Sequence, residues 1–110
     1  MDEYEVLWSQ ESIYDVADIE DYIAAEFGDK RADQFHADID YEVGRLGATH
    51  KLYTGTGIFY RGFLIFKKSF SPSIVFYIVD DSLKRVYVLR ILRLERDWQT
   101  MLKETLFYTF

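Results

Sequence analysis

Apolar residues change their rhythm along this chain, and that change limits the folds open to it. From Ile13 to Leu46 they recur every three or four positions, the spacing of one helix face. From Phe59 to Leu92 they fall instead in dense runs of β-branched and aromatic residues, parted by connections too short to hold a helix. Strands joined so tightly lie antiparallel, because a parallel pair needs a crossover of a dozen or more residues. Helices in one block and strands in another describe an α+β chain, a sheet with its helices gathered on one face.

The elements follow in order. Tyr4–Trp8 reads as a short first strand, and Ser9 as the N-cap of a helix carrying Ile13, Val16, Ala17, Ile23, Ala24 and Phe27. Gly28 ends that helix, and Asp29 is expected to cap a second with Ala32, Phe35, Ile39, Val43 and Leu46 on its stripe. The tight connection makes the two an antiparallel hairpin. Gly47–Gly57, with three glycines, reads as a loop. Strands are expected at Phe59–Phe66, Ile74–Val79 and Arg85–Leu92, parted by "KSFSPS" and "DDSLK". Asp97 then caps a last helix with Trp98, Met101, Leu102 and Leu106 on one face. The result is β-α-α-β-β-β(-α), an antiparallel sheet with a helical hairpin packed on one face.

The chain has 110 residues, the size of one domain, so residues 1–110 are read as a single unit. With 49% hydrophobic and 18% aromatic residues it can bury a core, which argues against disorder. The absence of cysteine excludes disulfides and thiolate metal sites and fits a reducing cytoplasm. "MDEYEVLW" lacks the apolar segment of a signal peptide, and no run is long enough to span a bilayer, so no membrane association is expected. The formal charge of -6 hides an asymmetry. Residues 1–47 hold 14 acids and 3 bases, whereas residues 48–110 hold 5 acids and 10 bases. A basic half can mark a polyanion-binding face, or can simply be a solvated surface.

"YVLRILRLERDW", residues 87–98, sets the sharpest question. On strict alternation Tyr87, Leu89 and Ile91 face the helices, and Val88, Arg90 and Leu92 face away. An arginine between two apolar neighbours needs either solvent or a carboxylate, with Asp80 or Glu95 as sequence-near candidates. Phe59–Phe66 is apolar on both sets of positions, so the sheet needs cover on both faces. The last helix or a partner protein must supply the second cover.

"VLWSQESIYDVADIEDYIAAEFG", followed by a second helix, resembles the start of RelE/ParE toxins of bacterial type II toxin–antitoxin pairs. "SIVFYIVDD" with "VYVLRILRLERDW" resembles their closing hairpin and signature end. The resemblance implies a cognate antitoxin as partner, in a hetero-oligomer or with a homodimer. It implies as target DNA gyrase in ParE-like members, or messenger RNA on the ribosome in RelE-like members, and plasmid stabilisation as context. Arg61 and Arg90 stand at positions similar to the family's basic ones. Leu94 and Glu95 depart from it, standing where glycine and a base are common.

RNA cleavage would need arginines to stabilise a pentavalent phosphate and a group to move a proton. Arg61, Arg90, Arg93 and Arg96 are the candidate target-binding residues, with Lys67 and Lys68 beside them. They are expected to converge on the open side of the sheet. As acid or base only His50 in its loop and Glu95 beside Arg96 offer themselves. His36, beside Phe35, reads as a core-edge residue. The carboxylates Asp15, Asp18, Glu20 and Asp21 read as a solvated helix face, and no metal or cofactor site is expected. Without a convincing base, a gyrase-binding toxin is favoured over a ribosome-dependent mRNA endoribonuclease. A non-toxic interaction module keeping the same fold is the third reading.

Overall fold

A computed structural model describes residues 3–110. β1 (Glu5–Trp8) leads into the helical hairpin of α1 (Gln10–Phe27) and α2 (Asp29–Gly44). A short α3 (Leu46–Thr49) and a 3₁₀ turn (His50–Leu52) follow. The chain then runs through β2 (Thr54–Tyr60), β3 (Phe63–Phe70), β4 (Ser73–Asp80) and β5 (Arg85–Arg93) to α4 (Trp98–Glu104). The sheet order is β1-β5-β4-β3-β2; β1 lies parallel to β5 and every other pairing is antiparallel.

The α+β class and the hairpin are as the sequence describes them, with one strand more. The expected strand Phe59–Phe66 is broken by a two-residue turn, since Tyr60 pairs with Phe63. Arg61 and Gly62 both have positive φ, 51° and 86°, the backbone a tight hairpin turn requires. The first half of this added hairpin lies in the segment expected to be loop. There two of the three glycines serve close approach, and Gly57 has a positive φ of 80°. A Cβ on Gly47 would press into the carbonyl of Tyr4, and one on Gly55 would lie 2.8 Å from Leu64.

Ser9 caps α1 as expected, its hydroxyl accepting from the Ser12 amide at 2.9 Å. Asp29 does not cap α2: Gly28 occupies that position without a side-chain bond, and Asp29 is already in the first turn. The buried stripe of α1 is Ser12, Asp15, Val16, Ile19 and Ile23, while Ile13 and Phe27 are exposed. The helix is thus rotated by about one residue from the expected stripe.

Two cores result. The helix-side core joins Val16, Ile19, Ile23, Phe35, Ile39, Val43 and Leu46 to Val75, Tyr77, Val86, Val88 and Ile91, with Trp8 packed against it. The opposite core gathers Ile65, Ile74, Phe76, Ile78, Leu89 and Leu92 under Leu102 and Tyr108. The second cover is therefore supplied by α4 and the C-terminal residues of the chain itself. Leu106 lies past the end of α4 and is exposed rather than on its buried face. Strict alternation on β5 fails for Tyr87, Val88 and Leu89. The register steps from Tyr77↔Val88 to Phe76↔Arg90 and leaves Leu89 unpaired. A bulge of this kind adds one residue to one strand, so Val88 and Ile91 both reach the helices and Leu89 joins the opposite core.

Candidate target-binding site

The bulge explains what holds Arg90. Beyond Trp8, which pairs with Val88, β1 ends and the first turns of α1 cross the end of β5. Asp15, on the inward stripe of α1, meets Arg90 there in a two-pronged bond. Nε donates to one carboxylate oxygen at 2.7 Å and Nη2 to the other at 2.8 Å. The Ile91 amide donates to the same carboxylate at 3.0 Å. The pair is nearly dry, with side-chain exposures of 17% for Arg90 and 9% for Asp15. Bonding to Asp15 pushes the guanidinium pKa up against the opposing effect of burial. Neither Asp80 nor Glu95 is the partner, and Asp15 is not part of a solvated face. The sequence held a signal for this, because Ser12, Asp15 and Ile19 share one side of a helix.

Arg93 and Arg96 do follow Arg90 round the end of β5. The Arg93 guanidinium lies 3.5 Å from the centre of the Tyr22 ring and pairs with Glu95. Arg96 is exposed and reaches the Met101 sulfur at 3.6 Å. With Asp15, Asp18 and Ile91 these two arginines line a cleft of about 70 Å³. Lys67 lies in the same layer and projects to the same sheet face as Arg90. It is paired across β3 and β4 with Phe76, which is itself paired with Arg90. The Lys67 ammonium stands 5.1 Å from the Trp98 ring, which packs on Phe76.

The remaining candidates lie elsewhere. Arg61, in the β2–β3 turn, is at the other end of the sheet, beside the start of β5 rather than its end, and stacks over Tyr60. The expected convergence with Arg90, Arg93 and Arg96 therefore does not occur, because the added hairpin turn carries Arg61 away. Lys68 points to the helices and pairs with Glu42 of α2 at 3.2 Å. His50 is buried and stacked on Tyr4; its Nδ1 donates toward the carbonyls of Leu46 and Gly47, and its own carbonyl accepts the Tyr77 hydroxyl at 2.6 Å. His36 is exposed on α2 between Glu20 and Asp40, not at a core edge. Glu95 is tied to Arg93.

Part of the charge asymmetry is taken up by pairs between the two halves. Lys68–Glu42, Arg85–Glu5 and Arg90–Asp15 each join a base of the second half to an acid of the first. What remains at the end of β5 is a mixed patch in which acids and an aromatic ring steady the arginines. Such a patch can hold a partner surface. No imidazole stands within it to move a proton, and among the described residues no three His, Asp or Glu side chains are grouped to hold a metal.

Residues 6–98 match the model of the family described as ParE toxin of type II toxin–antitoxin system, parDE. Two solved structures share the fold. A chain of the chromosomal ParDE toxin–antitoxin system from P. aeruginosa aligns with a TM-score of 0.68 at 21% identity, over 84% of this chain and 97% of that one. A chain of the RelBE2 toxin–antitoxin complex from Mycobacterium tuberculosis aligns with a TM-score of 0.55 at 18% identity, over 83% and 98%. No curated protein matches. The family match spans most of the chain and takes in both the helical hairpin and the arginine-bearing β5, and the chain belongs to the ParE toxin family of type II toxin–antitoxin systems.

Proposed function

We propose that this toxin arrests growth by binding DNA gyrase, and that a cognate antitoxin restrains it in a complex. The observation that carries the choice of target is how the arginine end of β5 is occupied. Arg90 is locked to Asp15, Arg93 to Glu95 and Tyr22, and the candidate base His50 is buried behind Tyr4. Phosphodiester cleavage asks for a proton-transfer group poised beside free cations. A fixed patch with Arg96 and Lys67 at its margins suits surface recognition instead. The antitoxin is supported by the two structural relatives, both described as toxin–antitoxin systems.

The test uses the purified chain in two reactions. Gyrase supercoiling should be inhibited in proportion to toxin, and adding the antitoxin should restore it. Messenger RNA on ribosomes should stay intact. Ribosome-dependent cleavage without gyrase inhibition would establish the endoribonuclease instead. Failure of the induced chain to arrest growth at all would leave an interaction module.

A further inference from the structure

The family match ends at Trp98, and both structural relatives are almost wholly covered while this chain is not. Residues 99–110 therefore lie outside the family match, although in this chain Leu102 and Tyr108 cover the second core. Residues 105–110 leave α4 and cross the sheet from the β2 side to β5 and α1. The Tyr60 hydroxyl accepts from the Tyr108 amide at 3.0 Å, and the two rings meet edge to face. At the far side the Gln10 amide donates to the Thr109 carbonyl at 2.7 Å, and the Glu11 carboxylate accepts from the Thr109 amide at 2.9 Å and its hydroxyl at 3.3 Å. Phe110 packs edge to face on Tyr87.

What this strap covers is not plain core. Tyr60 carries the Arg61 guanidinium over its ring at 5.4 Å, and the Tyr87 hydroxyl accepts from Arg85 at 3.3 Å. Tyr108 lies within electrostatic reach of Arg90. The covered strip is thus two tyrosines with the exposed Arg61 at one end, the other two guanidiniums being shared with Glu5 and Asp15, and its net positive edge suits an acidic partner.

Two features mark the cover as imperfect. The Tyr108 hydroxyl is buried and forms no close hydrogen bond among the described residues, the Thr105 side chain making only a loose contact with it, a penalty that phenylalanine would avoid. The strap's outer side carries Leu106 and Phe107 at 81% and 64% exposure. It has apolar residues for two surfaces and uses only one of them.

We propose that residues 105–110 open as a unit while the rest of the fold stays closed, and that the Tyr60–Tyr87 strip beneath them engages an acidic surface of the target protein. Closed, the strap holds the toxin in check in cis. The inference rests on the reading that the chain acts by binding a protein target, and gyrase serves as the probe.

Two variants of the full chain shift the strap in opposite directions. Glu11→Ala removes its anchor, and Tyr108→Phe relieves the poorly bonded hydroxyl. Hydrogen exchange should quicken at least tenfold at the Tyr108 and Thr109 amides in Glu11→Ala, with β4 unchanged, and should slow in Tyr108→Phe. Gyrase affinity and growth arrest per folded molecule should both rank Glu11→Ala above the unsubstituted chain and that above Tyr108→Phe. Exchange at these amides that changes only together with β4 would make the strap ordinary core and overturn the proposal. So would a strap that opens while growth arrest stays equal or falls in Glu11→Ala. If growth arrest follows the expected order while gyrase binds none of the three, the choice of gyrase fails and the strap stands.

Discussion

Replacing Asp15 with alanine should be among the most damaging single changes in this chain, although Asp15 sits on the most acidic helix of an acidic protein. The carboxylate accepts two bonds from Arg90 and one from the Ile91 amide. Its loss strands a guanidinium with 17% exposure and a buried backbone donor. Breaking a fully buried pair costs about 3–5 kcal/mol; the residual solvent contact of Arg90 lowers this toward the bottom of the range, so roughly 3 kcal/mol is expected. For a domain of this size that corresponds to a fall in Tm of about 10–20 °C. Arg90→Ala should cost less, roughly 2 kcal/mol, because the Ile91 amide still holds the carboxylate. The double variant should then be milder than the sum of the two by at least about 1 kcal/mol. Urea denaturation followed by circular dichroism gives all three values. The exposed Arg85–Glu5 pair provides the internal comparison, with Glu5→Ala costing under about 0.5 kcal/mol. A cost below about 1 kcal/mol for Asp15→Ala, or strict additivity with Arg90→Ala, would refute the view that this pair locks β5 to α1.

Other changes probe the frame around it. Ser9→Ala removes both the α1 cap and a buried bond to the Leu89 carbonyl at 2.7 Å, and should lower stability by roughly 1–2 kcal/mol in the same urea assay. Gly47→Ala should cost roughly 1–3 kcal/mol, because the added Cβ meets the Tyr4 carbonyl rather than a side chain that can turn away; a neutral result would contradict that close approach. Burial pushes the Tyr77 phenol pKa well above its ordinary value, so the folded chain keeps a proton the unfolded chain loses. That contribution is complete below about pH 10 and declines as pH rises beyond it. Stability measured from pH 8 to 11 should therefore fall at the alkaline end, and less steeply in Tyr77→Phe.

The sequence by itself determined the features that depend on neighbours in the chain. The 3.6-residue rhythm of residues 13–46 fixed the helical hairpin, and Ser9 and Asp97 fixed where two helices begin, because capping uses atoms three residues apart. The dense apolar runs fixed an antiparallel meander, and apolar residues on both sets of positions foretold a sheet covered on both sides. Local pattern failed where one residue altered the count. Arg61 and Gly62 turned one expected strand into two, and the unpaired Leu89 reversed the facing of Tyr87, Val88 and Leu89. Those two shifts decide the site. The first carries Arg61 to the wrong end of the sheet to join Arg93 and Arg96. The second, with the end of β1, brings Arg90 against a carboxylate 75 residues away in sequence. A guanidinium selects its partner by distance and dryness in the folded chain. No spacing within β5 could name Asp15, and only the packing of α1 across the end of the strand placed it there.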